Sequence, residues 1–310
     1  MREFQFMKRS IIILSALAVT GCTINRQNLH DPDVDLLFQP AMYMHVSEED
    51  KERYPEDQTF GVSAWSLPDG KTWSSNSSDA SIHINSLEAK PIDRVNWSCE
   101  TPVVWPSVTE NVTFLAWSPY ASGKGCETEK GVTFEISDII AEQTDLLYCA
   151  PVQDLCKIEC GGVVTVPFRH ALCQISVCVK NRVQDTDKIV VRNVSMDNVA
   201  GSGTFSSLKS PQWQTGNRNA SLTFLEEPFE TGPNPEPVGR KWLVIPQEIN
   251  TPLTVEYDFS TASGETITQR LQTIPLKMRL EGGKSYTLTL SIGIDDVKFL
   301  KELIKDRFEK

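Results

Sequence analysis

Ser285-Tyr286-Thr287-Leu288-Thr289-Leu290-Ser291-Ile292-Gly293-Ile294 decides the class of fold. Tyr286, Leu288, Leu290, Ile292 and Ile294 alternate without a break with small or polar residues. Successive side chains of a strand point to opposite faces, so the pattern describes a strand with one apolar and one wet face. Leu253, Val255, Tyr257 and Phe259 repeat it against Thr254, Glu256 and Asp258. So do Cys173, Ile175, Val177 and Val179 against Gln174, Ser176, Cys178 and Lys180. One-sided strands of this kind build antiparallel sheets packed on one face. Turn clusters punctuate the runs at Leu67-Pro68-Asp69-Gly70, Gly161-Gly162, Gly232-Pro233-Asn234-Pro235 and Glu281-Gly282-Gly283. The prediction is an all-β chain of sandwiches with Greek-key connections.

A polar, charged stretch from Asn181 to Lys188 follows a strong strand and marks a division. It predicts an N-terminal β-sandwich domain over 33–183 and a C-terminal one over 184–296. Beyond them lies a tail, 297–310, where Val297, Leu300, Ile304 and Phe308 fall at helical spacing among Lys298, Lys301, Glu302, Lys305, Asp306 and Arg307. That spacing predicts a short amphipathic C-terminal helix, with a solvated tail as the alternative.

The N-terminus reads as an export signal. Lys8 and Arg9 precede the apolar run Ile11 to Val19, and Val19-Thr20-Gly21-Cys22 follows. The run is shorter than the roughly 20 residues a membrane-spanning helix needs. A cysteine directly after a small residue resembles a lipobox, which makes 1–21 a signal peptide, Cys22 the lipidated residue and 22–32 a tether. Buried acyl chains contribute about 0.8 kcal/mol per CH₂, so a multiply acylated Cys22 anchors the chain to a membrane. Residues 1–21 hold three basic groups and one acid, so their removal takes the net charge from −11 to −13. Such acidity opposes nucleic acid and anionic lipid, and otherwise serves solubility.

Seven of the eight cysteines follow Cys22, an odd number that leaves at least one thiol outside internal pairing. On the strand from Cys173 to Lys180, Cys173 should face a core and Cys178 the outside, which makes Cys178 the candidate free thiol. Cys149, Cys156 and Cys160 match no zinc spacing, and no metal or cofactor is expected. G-x-S-x-G, H-E-x-x-H and Walker patterns are missing, and His170 at the head of a strand reads as structural. The chain is expected to be no enzyme.

Several segments, taken in order, resemble the fimbrillin family, the lipoprotein subunits of type V pili. Trp105-Pro106 precedes Val112-Thr113-Phe114-Leu115-Ala116-Trp117-Ser118-Pro119, similar to the family's strand ending in aromatic-x-Pro. Asp145-Leu146-Leu147-Tyr148-Cys149-Ala150 is similar to its Asp-Leu-Leu-Tyr-x-Ala segment, and Phe168-Arg169-His170-Ala171-Leu172 to its Phe-x-His-Ala-Leu strand. Gly203-Thr204-Phe205 with Trp213, Leu243-Val244-Ile245-Pro246-Gln247, and Gly282-Gly283-Lys284-Ser285-Tyr286 complete the order.

The resemblance implies two Greek-key β-sandwich domains of transthyretin-like fold. It also implies assembly by strand exchange with other fimbrial subunits, after a protease cuts behind a basic residue that follows the first strand. Val34, Leu36 and Phe38, then Met42, Met44 and Val46, supply a first strand, and Lys51 and Arg53 are the candidate processing positions ahead of a second strand near Phe60. An uncut charged loop is the alternative. The helical reading of the tail argues against a donor strand there, and so points to an accessory, tip or anchor-like subunit, or a non-polymerising relative, rather than a stalk subunit. The implied location is the outer membrane and cell surface, lipid-anchored, with a periplasm-facing residence left open. A different class of function also stands: an anchored module binding glycan or another surface ligand, with Trp65, Trp73 or Trp97 exposed for stacking.

Overall fold

The computed structural model describes residues 35–42, 53–122, 132–137, 139–208, 210–225 and 227–307. Cys22, Val34, Met44, Val46, Lys51, Cys126, Phe308, the signal peptide and the tether lie outside the described residues.

The first body is built from β1 (Leu37–Met42), β2 (Phe60–Leu67), β3 (Ser81–Pro91), β4 (Trp97–Cys99) and β5 (Asn111–Ser118). A short strand, β6 (Val132–Glu135), then leaves it, and β7 (Leu147–Leu155) and β8 (Val163–His170) complete it. The strands close in the order β1-β4-β3-β2-β5-β7-β8, so the two ends of a sandwich-like sheet meet through β1. Closure removes the open edges that a flat sheet would expose. Among the described residues of this body the α-helical turns are α1 (Trp73–Asn76) and α2 (Lys157–Cys160), with short 3-10 turns at Ser77–Asp79, Tyr120–Ser122 and Ile140–Glu142.

The chain crosses at Ala171-Leu172, both buried, into β9 (Cys173–Asn181) and β10 (Lys188–Ala200). Next, β11 (Ser202–Ser206) and β12 (Gln212–Thr215) turn back to join β6 in a three-stranded sheet, β12-β11-β6. The rest is β13 (Asn219–Thr223), β14 (Phe229–Glu230), β15 (Glu236–Val244), β16 (Glu248–Ser260), β17 (Thr266–Arg279), β18 (Lys284–Ile292) and β19 (Val297–Asp306). One sheet runs β13-β10-β16-β17 with β14 beside β10, and the other runs β15-β9-β18-β19. Ile175 and Val177 of β9, Val255 and Tyr257 of β16, and Leu288 and Leu290 of β18 fill one core between these sheets. Because β9 pairs with β15 and β18, it packs with the second body, ahead of the polar stretch at 181–188.

Strand β5 is buried on both faces, and that joins the two bodies. Val112, Phe114 and Ala116 point into the barrel, whereas Leu115 and Trp117 point outward into a second apolar layer. Phe134 of β6, Tyr148 of β7, Phe205 of β11 and Ile245 close that layer from above. Each large apolar side chain buried there contributes on the order of 1.5–3 kcal/mol. Gly61 lies directly opposite Trp117 across the β2–β5 pair, and the indole covers it. A Cβ at Gly61 would sit 2.2 Å from Trp117 Cε2 and Cζ2, with Trp117 itself buried. Gly61→Ala is therefore expected to destabilise the protein by about 1–3 kcal/mol in urea unfolding. A loss under about 0.5 kcal/mol would show that the indole has room to move.

The expected C-terminal helix is overturned. Residues 297–306 form β19, paired antiparallel with β18 from Ile292↔Val297 to Lys284↔Asp306. A bulge between Thr289 and Leu290 leaves Leu300 as the extra residue of β19. An inserted residue shifts the period-2 phase, so Val297, Leu300 and Ile304 acquire spacings of three and four that imitate a helix face. The β18 edge, moreover, presents N–H and C=O groups that a strand satisfies and a helix does not.

Candidate functional site

The first strand occupies a slot in the barrel. Its residues pair in parallel with β8, from Leu37↔Val163 to Met42↔Phe168. On its other side the hold is slight: Phe38↔Trp97 with β4, then Leu36 N–H donating to Val103 O at 2.7 Å and an Asp35↔Val104 bridge. Leu36, Phe38 and Met42 point inward and are 2 %, 0 % and 9 % exposed. The Phe38 ring meets Phe60 and Phe114 edge-on, at 6.0 and 5.9 Å between centroids. Such pairs add about 0.5–1.5 kcal/mol beyond the area they bury.

Arg53 is exposed, and the chain is pinned immediately after it. Tyr54 is buried, stacks on Phe168 at 5.0 Å and meets Trp97 edge-on at 5.8 Å. Its hydroxyl shares a hydrogen bond with Ser118 Oγ at 2.8 Å and donates to Thr59 O at 3.3 Å. Burial raises the phenol well above its usual value, against a smaller lowering by Ser118, so Tyr54 stays neutral. Sequence reasoning missed Tyr54. The signal was an aromatic residue standing alone in the charged stretch from Ser47 to Asp57.

At the other end of the chain, β19 is an edge strand. Every residue in it except Val297 is exposed, and Phe299, Leu300, Leu303 and Ile304 are 38–49 % exposed. Arg307, directly after it, turns inward instead, with its side chain 9 % exposed. Its guanidinium donates to both oxygens of Asp145, Nη1 to Oδ1 at 3.1 Å and Nη2 to Oδ2 at 2.6 Å. His170 Nδ1 lies 2.5 Å from the same Oδ2. The Asp-Leu-Leu-Tyr and Phe-x-His segments thus meet through Asp145 and His170, and the last strand supplies their third partner. With both Asp145 oxygens engaged, the cluster acts as a structural tie. Nothing in the sequence marked Arg307, because its partner is 162 residues away.

The other sequence-derived residues do not converge. Cys178 is half-buried on β9, between Pro237 and Thr289, and burial raises its thiol pKa and so disfavours the reactive thiolate. Cys99, Cys149, Cys156, Cys160 and Cys173 are also free thiols, and Cys173 is fully buried with its Sγ 3.2 Å from Val244 O. Trp65 and Trp97 are buried, and Trp73 is half-buried with its ring 5.6 Å from Trp65, so these three are packing residues and not a displayed stacking surface. Among the described residues no group of three or more His, Cys, Asp and Glu side chains is placed to hold a metal ion.

A barrel closed by its own first strand, joined to a sandwich that ends on an exposed edge strand, defines a class of all-β subunits that present sheet edges and faces. Comparison with known proteins makes the class specific. The chain belongs to the fimbrillin-like family, whose profile matches residues 52–306. It is 24% identical over 217 residues to the fimbrium subunit Fim1C of Phocaeicola vulgatus, a match spanning 62% of this chain and 56% of that protein. In fold it is similar to a fimbrial protein from Bacteroides vulgatus, with a TM-score of 0.68 and 17% identity over 88% of this chain and 100% of the other. A candidate cell adhesion protein from Bacteroides ovatus superposes with a TM-score of 0.56 at 15% identity, over 88% of this chain and 97% of the other. The family is one of structural proteins of the cell-surface fimbrium and not of enzymes.

Proposed function

We propose that this chain is a fimbrial subunit that is exported as a lipid-anchored precursor and assembles by β-strand addition. One arrangement carries the reading: an exposed Arg53 stands between a strand held mainly from one side and the buried anchor Tyr54. Cutting after Arg53 detaches β1 from the body, and the body keeps its new end fixed through Tyr54. The vacated slot offers the backbone N–H and C=O row of β8 above an apolar floor that includes Phe60, Phe114 and Phe168. An extended segment of another subunit supplies both kinds of partner, which is the physics of strand addition. The terminal strand β19 is the segment this chain offers in return, since its apolar side chains are poorly covered where they lie. Acylation of Cys22 tethers the precursor to the outer membrane, and Lys51 is the alternative cut. A host or bacterial surface ligand is a further partner in the adhesive form of this role.

N-terminal sequencing of surface-extracted protein tests the cut. The expected mature chain begins at Tyr54, and Arg53→Gln should abolish that end in favour of a longer form. A parent chain that still begins at Cys22 would remove processing, and with it the open slot, from the reading.

A further inference from the structure

The terminal strand is held in place in an uneven way. Along β19, side chains face solvent, and its sheet neighbour is β18. A strand with Phe299, Leu300, Leu303 and Ile304 this exposed gains little burial where it lies. Its end is a different matter. Arg307 N–H donates to Gly283 O at 2.9 Å, and its guanidinium reaches Leu172 O at 3.3 Å besides both oxygens of Asp145. Asp145 lies just ahead of β7, and His170 ends β8, so the grip on the last strand comes from the barrel body.

We infer that Asp145, His170 and Arg307 form a latch that keeps β19 in its own sheet and so controls when the strand is available to a neighbour. The inference rests on the strand-addition reading and adds its regulation. Two features suit the cluster to that work. A bidentate guanidinium–carboxylate pair has one good geometry, so it is either made or lost. Losing one member leaves the other charge in a poorly hydrated place without its partner, so partial release is unfavourable. The exposed apolar side chains supply the opposite tendency, because a partner's groove would cover them. The strand is therefore under-buried along its length and locked at its tip.

Peptide-resolved hydrogen exchange on the full chain tests the latch. Arg307→Gln and Asp145→Asn should each speed exchange of 297–306 at least about tenfold, equivalent to a local loss of about 1.4 kcal/mol. Exchange in β16, which follows the global stability, should rise by clearly less than exchange in 297–306. Lys284→Gln, which removes the exposed Lys284–Asp306 pair on the same strand, should leave exchange within about twofold of the parent. The latch is overturned if both cluster variants keep the parent's rate in 297–306, or if β16 accelerates equally with β19, which would mark general destabilisation. A second readout separates this result from the underlying reading: high-mass ladders in surface extracts of cells producing parent or variant chains. Ladders that form faster in Arg307→Gln support the latch. Ladders that form at the parent's rate, despite a loosened β19, overturn its control of assembly. Complete absence of ladders from both chains sinks strand addition, and hydrogen exchange then decides by itself whether the cluster holds β19.

Discussion

Phe38→Ala is expected to cost about 3–5 kcal/mol of stability in urea unfolding of the uncut chain, the range for truncating a buried phenylalanine. The ring is fully buried, sits on the strand that closes the barrel, and loses edge-on contacts with Phe60 and Phe114 together with its own burial. The cavity cannot collapse easily, because β8 fixes one side of β1 through a continuous parallel register. Met42→Ala, at the strand's end and 9 % exposed, should cost less. The same substitution has a second use. In a chain cut after Arg53 whose β1 has left, Phe38→Ala should have no effect on the remaining body. Equal losses in cut and uncut forms would mean that β1 stays seated after cleavage, and a loss below about 1 kcal/mol in the uncut chain would mean that β1 contributes little to the barrel.

Asp145→Ala is the other large effect, expected at about 3–5 kcal/mol because it strands the Arg307 charge and removes the carboxylate that faces His170 Nδ1. The parent's pH dependence has a definite sign. Burial raises the Asp145 carboxyl, but the His170 hydrogen bond and the positive charges of Arg307 and His170 outweigh it, and the net shift is downward. A carboxyl depressed in the folded state contributes stability fully above its unfolded value, about 3.9, and loses it as pH falls through the folded value. The groups facing Asp145 are His170 from β8, Arg307 after β19, and the Cys173 thiol of β9, which burial pushes up to about 12. That thiol stays neutral in acid. Unfolding measured from pH 7 downward should therefore show the gap between parent and Asp145→Ala narrowing below about pH 4. A gap that widens there would refute the assigned direction of the shift.

The terminal strand shows how a pattern misleads. Val297, Leu300 and Ile304 carry the spacing of a helix face, yet the bulge at Leu300 produces those spacings within a strand. A bulge is a two-strand property, because it exists only where a second backbone sets the register. No single-strand pattern contains that second backbone. The same limit hid the handover between bodies. The polar stretch at 181–188 reads as a boundary, whereas the chain changes partners at Ala171-Leu172, two buried residues with no linker chemistry.

Side-chain alternation by itself determined that residues 173–180, 253–259 and 285–292 are one-sided strands, and that the chain is all-β. Each of these follows from a rule about one segment and its own periodicity. The family resemblance, and not alternation, placed the second strand near Phe60 and singled out Arg53 ahead of it. Tertiary structure alone decided that β1 lies parallel to β8, that Tyr54 pins the chain behind Arg53, and that Arg307 closes on Asp145 and His170. Those contacts join segments up to 162 residues apart. Their energies belong to pairs of surfaces, so neither partner's local sequence records them.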